Sequence, residues 1–299
     1  MPIARTPVPA PLRNVNRAGS LLASALTPDG PRWHGGIEYR PELDNLTASW
    51  NPSAGSDEQY TAQDKTIATP AENVLFDPYV IWQGSSVFPV SCRYEDEARR
   101  VRDALDIQTS YFIEQIFWTN LVDGVDFGLT HPNVALADTS AASLVTPNGT
   151  AAVGIVTGLH DMIEALNLYL GGARGMIHIP QTLVPFLEFY GQIIRQGNIL
   201  QIAGTDHILV AGTGYTGSDP ALNSAAGEVW MYGTSPVEVR LSDIYMNPGS
   251  EREALNRTTN TLEIRAERMA LASFDYTVMH VGIPVCIPDP GPECSGVAT

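Results

Sequence analysis

From Leu262 to Glu267 the chain alternates without a break, Leu262, Ile264 and Ala266 against Glu263, Arg265 and Glu267. A period of two predicts a long strand with one buried face and one wet face. Between Glu95 and Leu121 the spacing changes to a helical one. Val101, Leu105, Phe112 and Ile116 form an apolar stripe on a helix of roughly 27 residues, on the order of 40 Å long. Its first half carries Glu95/Arg99, Asp96/Arg100, Arg99/Asp103 and Arg102/Asp106 at i,i+4, pairs that stabilise a helix by a few tenths of a kcal/mol each. Its second half, Tyr111-Phe112-Ile113 and Ile116-Phe117-Trp118, is apolar nearly all round, which predicts burial on more than one side.

A second helix is predicted over Ala152–Leu170, where Ile155, Leu159, Met162, Ile163, Leu166, Tyr169 and Leu170 share a face and Gly171-Gly172 ends the run. Gly175 to Ile179 reads as a strand closed by Pro180, followed by a third helix from Thr182 to about Ile194. Strands are expected at Ile199–Ala203, His207–Ala211, Glu228–Tyr232 and Val237–Tyr245, and a last one at Tyr276–Val285. The tail 286–299, with Pro288, Pro290 and Pro292, is expected to be irregular, and no internal repeat is visible.

The two ends of this pattern differ from its middle. Pro2, Pro7, Pro9 and Pro11 keep the beginning extended, so residues 1–34 read as an arm outside the core. Residues 35–89 are rich in Pro, Gly, Asn, Ser and Thr, with short β-prone pieces at Val74–Phe76 and Tyr79–Trp82. A long hairpin or extended loop fits them, and a loop of that length makes sense if it reaches a neighbouring subunit.

Composition narrows the function. The 299 residues hold 17 basic and 33 acidic side chains, a net charge of -16. All the basic residues are arginines except Lys65. So acidic a chain is poorly suited to wrapping DNA, whose nonspecific affinity comes from Lys and Arg. The charge is uneven, however: residues 1–20 hold Arg5, Arg13 and Arg17 and no acid, so a small basic arm precedes an acidic body. Only 17% of residues are charged, below the ~25% of typical soluble domains, which points to surface covered by partner subunits. No apolar run reaches the ~18 residues of a membrane span, and the beginning lacks the apolar core of a secretory signal. Cytoplasmic synthesis without glycosylation at the sequons Asn45, Asn148 and Asn256 is therefore expected.

Candidate chemistry is sparse. Cys92, Cys286 and Cys294 lack zinc-site spacing and are expected to be inert thiols. The six histidines, His34, His131, His160, His178, His207 and His280, form no metal-binding motif, and no nucleophile elbow is present. Gly212-Thr213-Gly214-Tyr215-Thr216-Gly217 invites a phosphate-loop reading but lacks the Gly-Lys-Ser/Thr ending. No cofactor, metal or catalytic residue is expected, and a structural role gains weight.

The order of elements resembles the Hong Kong 97-type major capsid protein of tailed bacteriophages. Val237-Glu238-Val239 leads through a turn into Leu262–Phe274, and Glu267-Arg268-Met269-Ala270-Leu271-Ala272 is similar to that family's Glu-Arg-hydrophobic-Ala-Leu-Ala run. Gly175–Pro180 followed by a helix resembles its axial-domain strand and helix. The resemblance implies an α+β subunit with an N-terminal arm (1–34), an extended loop region (35–89), a peripheral domain (90–150 and 236–285), an axial domain (151–235) and a C-terminal tail (286–299). It further implies self-assembly into hexamers and pentamers of an icosahedral virion shell, built in the host cytoplasm around double-stranded DNA contacted at most nonspecifically. Portal, scaffolding or decoration proteins are possible partners, and no membrane is involved. The alternatives are an encapsulin-type nanocompartment shell and, further off, an α/β nucleotide-binding enzyme using Gly212–Gly217.

Some members of that family join a loop lysine to an asparagine of a neighbour, helped by a glutamate. Lys65, Asn256, Asn260 and Glu263 are the candidates such a resemblance offers here. The chain departs from the pattern: the positions matching the glutamate and asparagine are Ala266 and Thr259, and Glu263 substitutes only in a different register. Lys65 is therefore read as a solvated or salt-bridged loop residue.

Overall fold

The computed structural model describes residues 18–28, 33–39, 74–89, 93–122, 133–137, 144–147, 151–218, 227–275 and 280–286. In chain order, a short helix α1 (Leu21–Ser24) is followed by β1 (Ile37–Tyr39), β2 (Val74–Phe76), β3 (Tyr79–Val87) and the long helix α2 (Tyr94–Thr119). Next come β4 (Leu144–Val145), β5 (Val153–Gly154), α3 (Ile155–Tyr169), β6 (Met176–Pro180), a 3-10 turn, α4 (Val184–Phe189), β7 (Ile193–Gln196), β8 (Ile199–Ile202) and β9 (Ile208–Gly212). The chain finishes with β10 (Glu228–Thr234), β11 (Glu238–Leu241), β12 (Tyr245–Asn247), α5 (Glu251–Ala254), β13 (Leu255–Asn256), β14 (Thr261–Ser273) and β15 (His280–Cys286).

Two sheets organise these elements. The larger runs in the order β4-β15-β10-β6-β9-β8-β7 with β5 beside β15, and its strands β15, β10, β6 and β9 are buried on both faces. Alternation along its strands divides the core in two. Ile177, Ile179, Leu209, Ala211, Val229 and Met231 pack with Leu159, Met162 and Leu166 of α3 and Leu187 of α4. The intervening Met176, Ile208, Val210, Trp230 and Tyr232 face Phe117 and Trp118 of α2 and the second sheet. Burial on both faces is why these strands read as continuous apolar runs. The close approach of α3 needs Gly158, where an added Cβ would meet the Val285 side chain at 2.5 Å.

The second sheet is built on β14. One edge pairs with β11, β12 and β13 in turn, and the other with all nine residues of β3. Leu262, Ile264 and Ala266 are buried beneath it and Glu263 and Arg265 lie outside, as the alternation requires. The expected strand Val237–Tyr245 is broken in two by a bulge. Leu241 pairs with Ala270 and Tyr245 with Glu267, so one extra residue is accommodated. Ser242 stitches the gap, its N–H donating to the Met269 carbonyl at 3.0 Å and its Oγ accepting from the Met269 N–H at 3.0 Å.

α2 has 26 residues, with Glu95, Asp96 and Glu97 in the first turn, where acidic groups suit the helix dipole. It ends at Asn120, left-handed at φ 58 with its N–H on the Ile116 carbonyl. Two ion pairs of α2 depart from the i,i+4 ladder: Arg100 meets Glu97 at 2.7 Å, and Asp106 reaches Arg268 of β14 at 3.2 Å.

Three further expectations change. The third helix stops at Phe189 because Gly191, at φ +69, turns the chain, and Ile193–Gln196 forms a hairpin with β8 instead. The stretch after residue 17 is not free of the core: Leu21 is fully buried, Gly19 N–H donates to the Asn198 carbonyl at 2.7 Å, and Leu26 bridges to Glu238. Last, β15, expected within the peripheral domain together with β14, pairs with β10 in the large sheet. At the base of the loop region, β1 and β2 pair antiparallel, with Tyr39 opposite Val74.

Candidate functional site

The polar groups that matter most lie where the two sheets, α2 and the N-terminal segment meet. Glu114 sits in the half of α2 that is apolar nearly all round, and it is fully buried. Its Oε1 accepts from the Leu21 N–H at 3.0 Å and the Ser110 hydroxyl at 3.2 Å. Its Oε2 accepts from the Gly214 N–H at 3.0 Å and the Thr213 hydroxyl at 3.1 Å. Burial pushes the carboxyl pKa up, while the four donors pull it down. One carboxylate thus ties together α2, the segment before β1 and the loop after β9.

This arrangement overturns the phosphate-loop reading of Gly212–Gly217. The loop does hold an anion with its backbone, but the anion is the protein's own Glu114. Gly214 lies so close to α2 that an added Cβ would meet the Glu114 Cβ at 2.8 Å and the Gln115 nitrogen at 2.9 Å. The Gly214 amide is taken up by Glu114 and packed against α2, so the nucleotide reading loses the motif it rested on.

Tyr215, from the same loop, rests against Trp118 with ring centroids 4.8 Å apart. Its hydroxyl meets Nδ1 of His178 on β6 at 3.0 Å, and His178 Nε2 meets Thr234 Oγ1 on β10 at 2.9 Å. The Thr234 hydroxyl donates to the Ser235 carbonyl at 2.8 Å, which leaves its oxygen to accept. Nε2 therefore carries the imidazole proton, and Tyr215 donates to Nδ1. Burial, and then the neighbouring His280, push the His178 pKa down to about 3. The imidazole is neutral and every donor in the chain points the same way, an arrangement that locks the junction and has no open face for a substrate. His280 Nε2 donates to the Leu136 carbonyl at 2.8 Å. Among the described residues no group of three His, Cys, Asp or Glu side chains is placed to hold a metal.

The crosslink candidates lie elsewhere, at the exposed tip of the β13–β14 hairpin. Asn256 Nδ2 donates to Glu263 Oε1 at 3.0 Å, and Asn256 Oδ1 accepts the N–H groups of Thr258 and Thr259 at 3.1 and 3.4 Å. Asn260 supplies the left-handed turn residue at φ 54. The structure thus brings Asn256 and Glu263 together, with Asn260 in the same turn, and all three serve the hairpin. Ala266 is fully buried on the opposite face. A groove of 420 Å³ adjoins the hairpin, with Ser85, Pro248, Glu253 and Arg265 among its walls. Lys65 lies outside the described residues. Cys286 is not an inert thiol as expected but is disulfide-bonded.

The architecture has counterparts among solved structures. A chain from Mycobacterium phage Ogopogo superposes with a TM-score of 0.53 at 16% identity, covering 95% of this chain and 97% of that one. The capsid of an empty GTA particle gives 0.53 at 10% identity over 95% and 96% of the two chains. Microbacterium phage Oxtober96 gives 0.53 at 12% identity over 95% and 96%. The fold is the Hong Kong 97-type capsid fold. No family profile and no curated protein matches the sequence. Within this capsid fold the Glu114 and His178 clusters sit at the junction between the two sheets. Sequence reasoning passed over both, although one charged residue inside an apolar helix half was a usable signal for Glu114. No helix among the described residues is long and apolar enough to cross a membrane.

Proposed function

We propose that this chain is the major capsid subunit of a tailed phage, assembling into hexamers and pentamers of an icosahedral shell around packaged double-stranded DNA. The observation that carries this reading is that the fold correspondence with a capsid chain extends over 95% of the protein rather than over one domain. Its chemistry is consistent with a container. The buried Glu114 and His178 are occupied in holding elements together, and a net charge of -16 keeps the wall from gripping its contents. Leu168 and Phe189, 74% and 83% exposed at the ends of α3 and α4, are the sort of apolar surface that subunit contacts cover. A structural role without catalysis or cofactor follows, with the domains assigned as the resemblance implies except for the last strand. Assembly in the host cytoplasm and contacts with portal, scaffolding or decoration proteins belong to the same proposal.

Electron microscopy of the purified protein is expected to show closed shells. A protein that stays monomeric across a wide concentration range sinks the proposal. The nanocompartment alternative is separated by the contents: extracted particles holding nucleic acid support the phage reading, and a packed cargo enzyme supports the other.

Covalent joining through Lys65 is not expected. The asparagine and glutamate that meet are both engaged in closing their own hairpin, and the matching glutamate position is the buried Ala266. Denaturing electrophoresis of assembled particles should therefore give a single monomer band. A ladder that disappears in Lys65→Arg would show the opposite.

A further inference from the structure

β3 is the outer strand of the smaller sheet. Among the described residues it pairs on one side only, with β14, from Tyr79 opposite Ala270 to Val87 opposite Leu262. Its other edge presents a row of backbone N–H and C=O groups with no strand beside it among the described residues. Edges of this kind template pairing with another chain, and proteins usually blunt them with charge, proline or a bulge. β7, at the edge of the large sheet, follows that rule by carrying Arg195. β3 does not. Its sequence, Tyr-Val-Ile-Trp-Gln-Gly-Ser-Ser-Val, contains no charge and no proline, and its register is unbroken. On the outward face Val80 and Trp82 are 52% and 56% exposed.

We propose that a second copy of this chain adds an extended segment to the free edge of β3, carrying the sheet from one subunit into the next. The inference rests on the shell reading above and names a surface it would use. Charge points to another copy as the occupant. Each subunit carries -16, so copies repel wherever acidic surfaces meet. β3 is uncharged, and the charged side chains beside Trp82, Arg265 and Glu267, neutralise each other at 2.6 Å. Two such molecules can therefore approach here with little electrostatic opposition. Backbone hydrogen bonds would supply the affinity, and Val80 and Trp82 the apolar contact.

Hydrogen exchange resolved to single amides over residues 79–87 tests the idea. In the separate subunit alternate amides bond to β14 and exchange slowly, while the others face water. Assembly is expected to slow the second set by at least about tenfold. Val80→Lys, a charge placed at an already exposed position, should leave the thermal midpoint of the separate subunit unchanged and strongly reduce assembly. Closed shells whose outer β3 amides exchange as fast as in the separate subunit, or undiminished assembly of Val80→Lys, overturn this proposal and leave the shell reading standing. No assembly of the wild-type protein under any condition overturns both.

Discussion

Glu114→Ala is expected to lower the unfolding free energy by about 3 kcal/mol and to release the segment around Leu21 first. The substitution strands two backbone donors, Leu21 and Gly214, and two hydroxyls, Ser110 and Thr213. A buried donor left without an acceptor costs about 1–3 kcal/mol. Two effects keep the total below four times that: water can enter the vacated space, and removing the carboxylate relieves the desolvation that raises its pKa. Glu114→Gln should fall between the two, since its amide keeps one accepting oxygen and turns its NH2 toward donors. Urea denaturation gives the stabilities, and amide exchange at residues 18–26 gives the order of release. A Glu114→Ala midpoint within error of wild type would show that the four hydrogen bonds contribute little.

That site marks the limit of what the residues disclose on their own. α2, α3 and β14 were legible because each carries a strong local periodicity: an apolar stripe for the helices, alternation over Leu262–Glu267 for the strand. The α4–β7 boundary was not, because Ile193 and Ile194 suit either element and the decision falls to Gly191. β15 was legible as a strand, but its sheet was not. Its register with β10 is set by contacts across the chain that no local pattern records. The N-terminal segment misled for a different reason: prolines and arginines before residue 18 described the beginning well, while the docking depends on Leu21 and Gly19 meeting Glu114 and Asn198 far along the sequence. The glycine loop shows the same thing in the functional reading. Its glycines do permit close approach of the backbone to an anion, and only the fold reveals that the anion is internal.

Acid is expected to destabilise the subunit through His178, with a sign opposite to that of Glu114. The unfolded imidazole titrates near 6.5 and the folded one at about 3, so between those values the unfolded chain binds a proton that the folded chain refuses. The stabilising contribution is fully present above about pH 6.5 and is lost on acidification at ~1.4 kcal/mol per unit, about 3 kcal/mol by pH 4. The hydrogen bonds give the reason. A second ring proton on Nδ1 would confront the hydroxyl of Tyr215, which is itself donating there, and the chain through Thr234 to Ser235 offers no alternative acceptor. Glu114, whose pKa is raised, gains as pH falls from its folded value toward the ordinary carboxylate value, so it partly offsets the loss at the acidic end. His178→Gln preserves a polar group of similar reach without the titration. It should cost about 1–2 kcal/mol at pH 8 and remove the slope, so that the wild-type and variant stabilities meet between about pH 5 and 6. Urea unfolding at a series of pH values reads this directly. Parallel wild-type and variant curves would mean that His178 is already protonated in the folded subunit or reached by water, and the directed chain of donors would then be wrong.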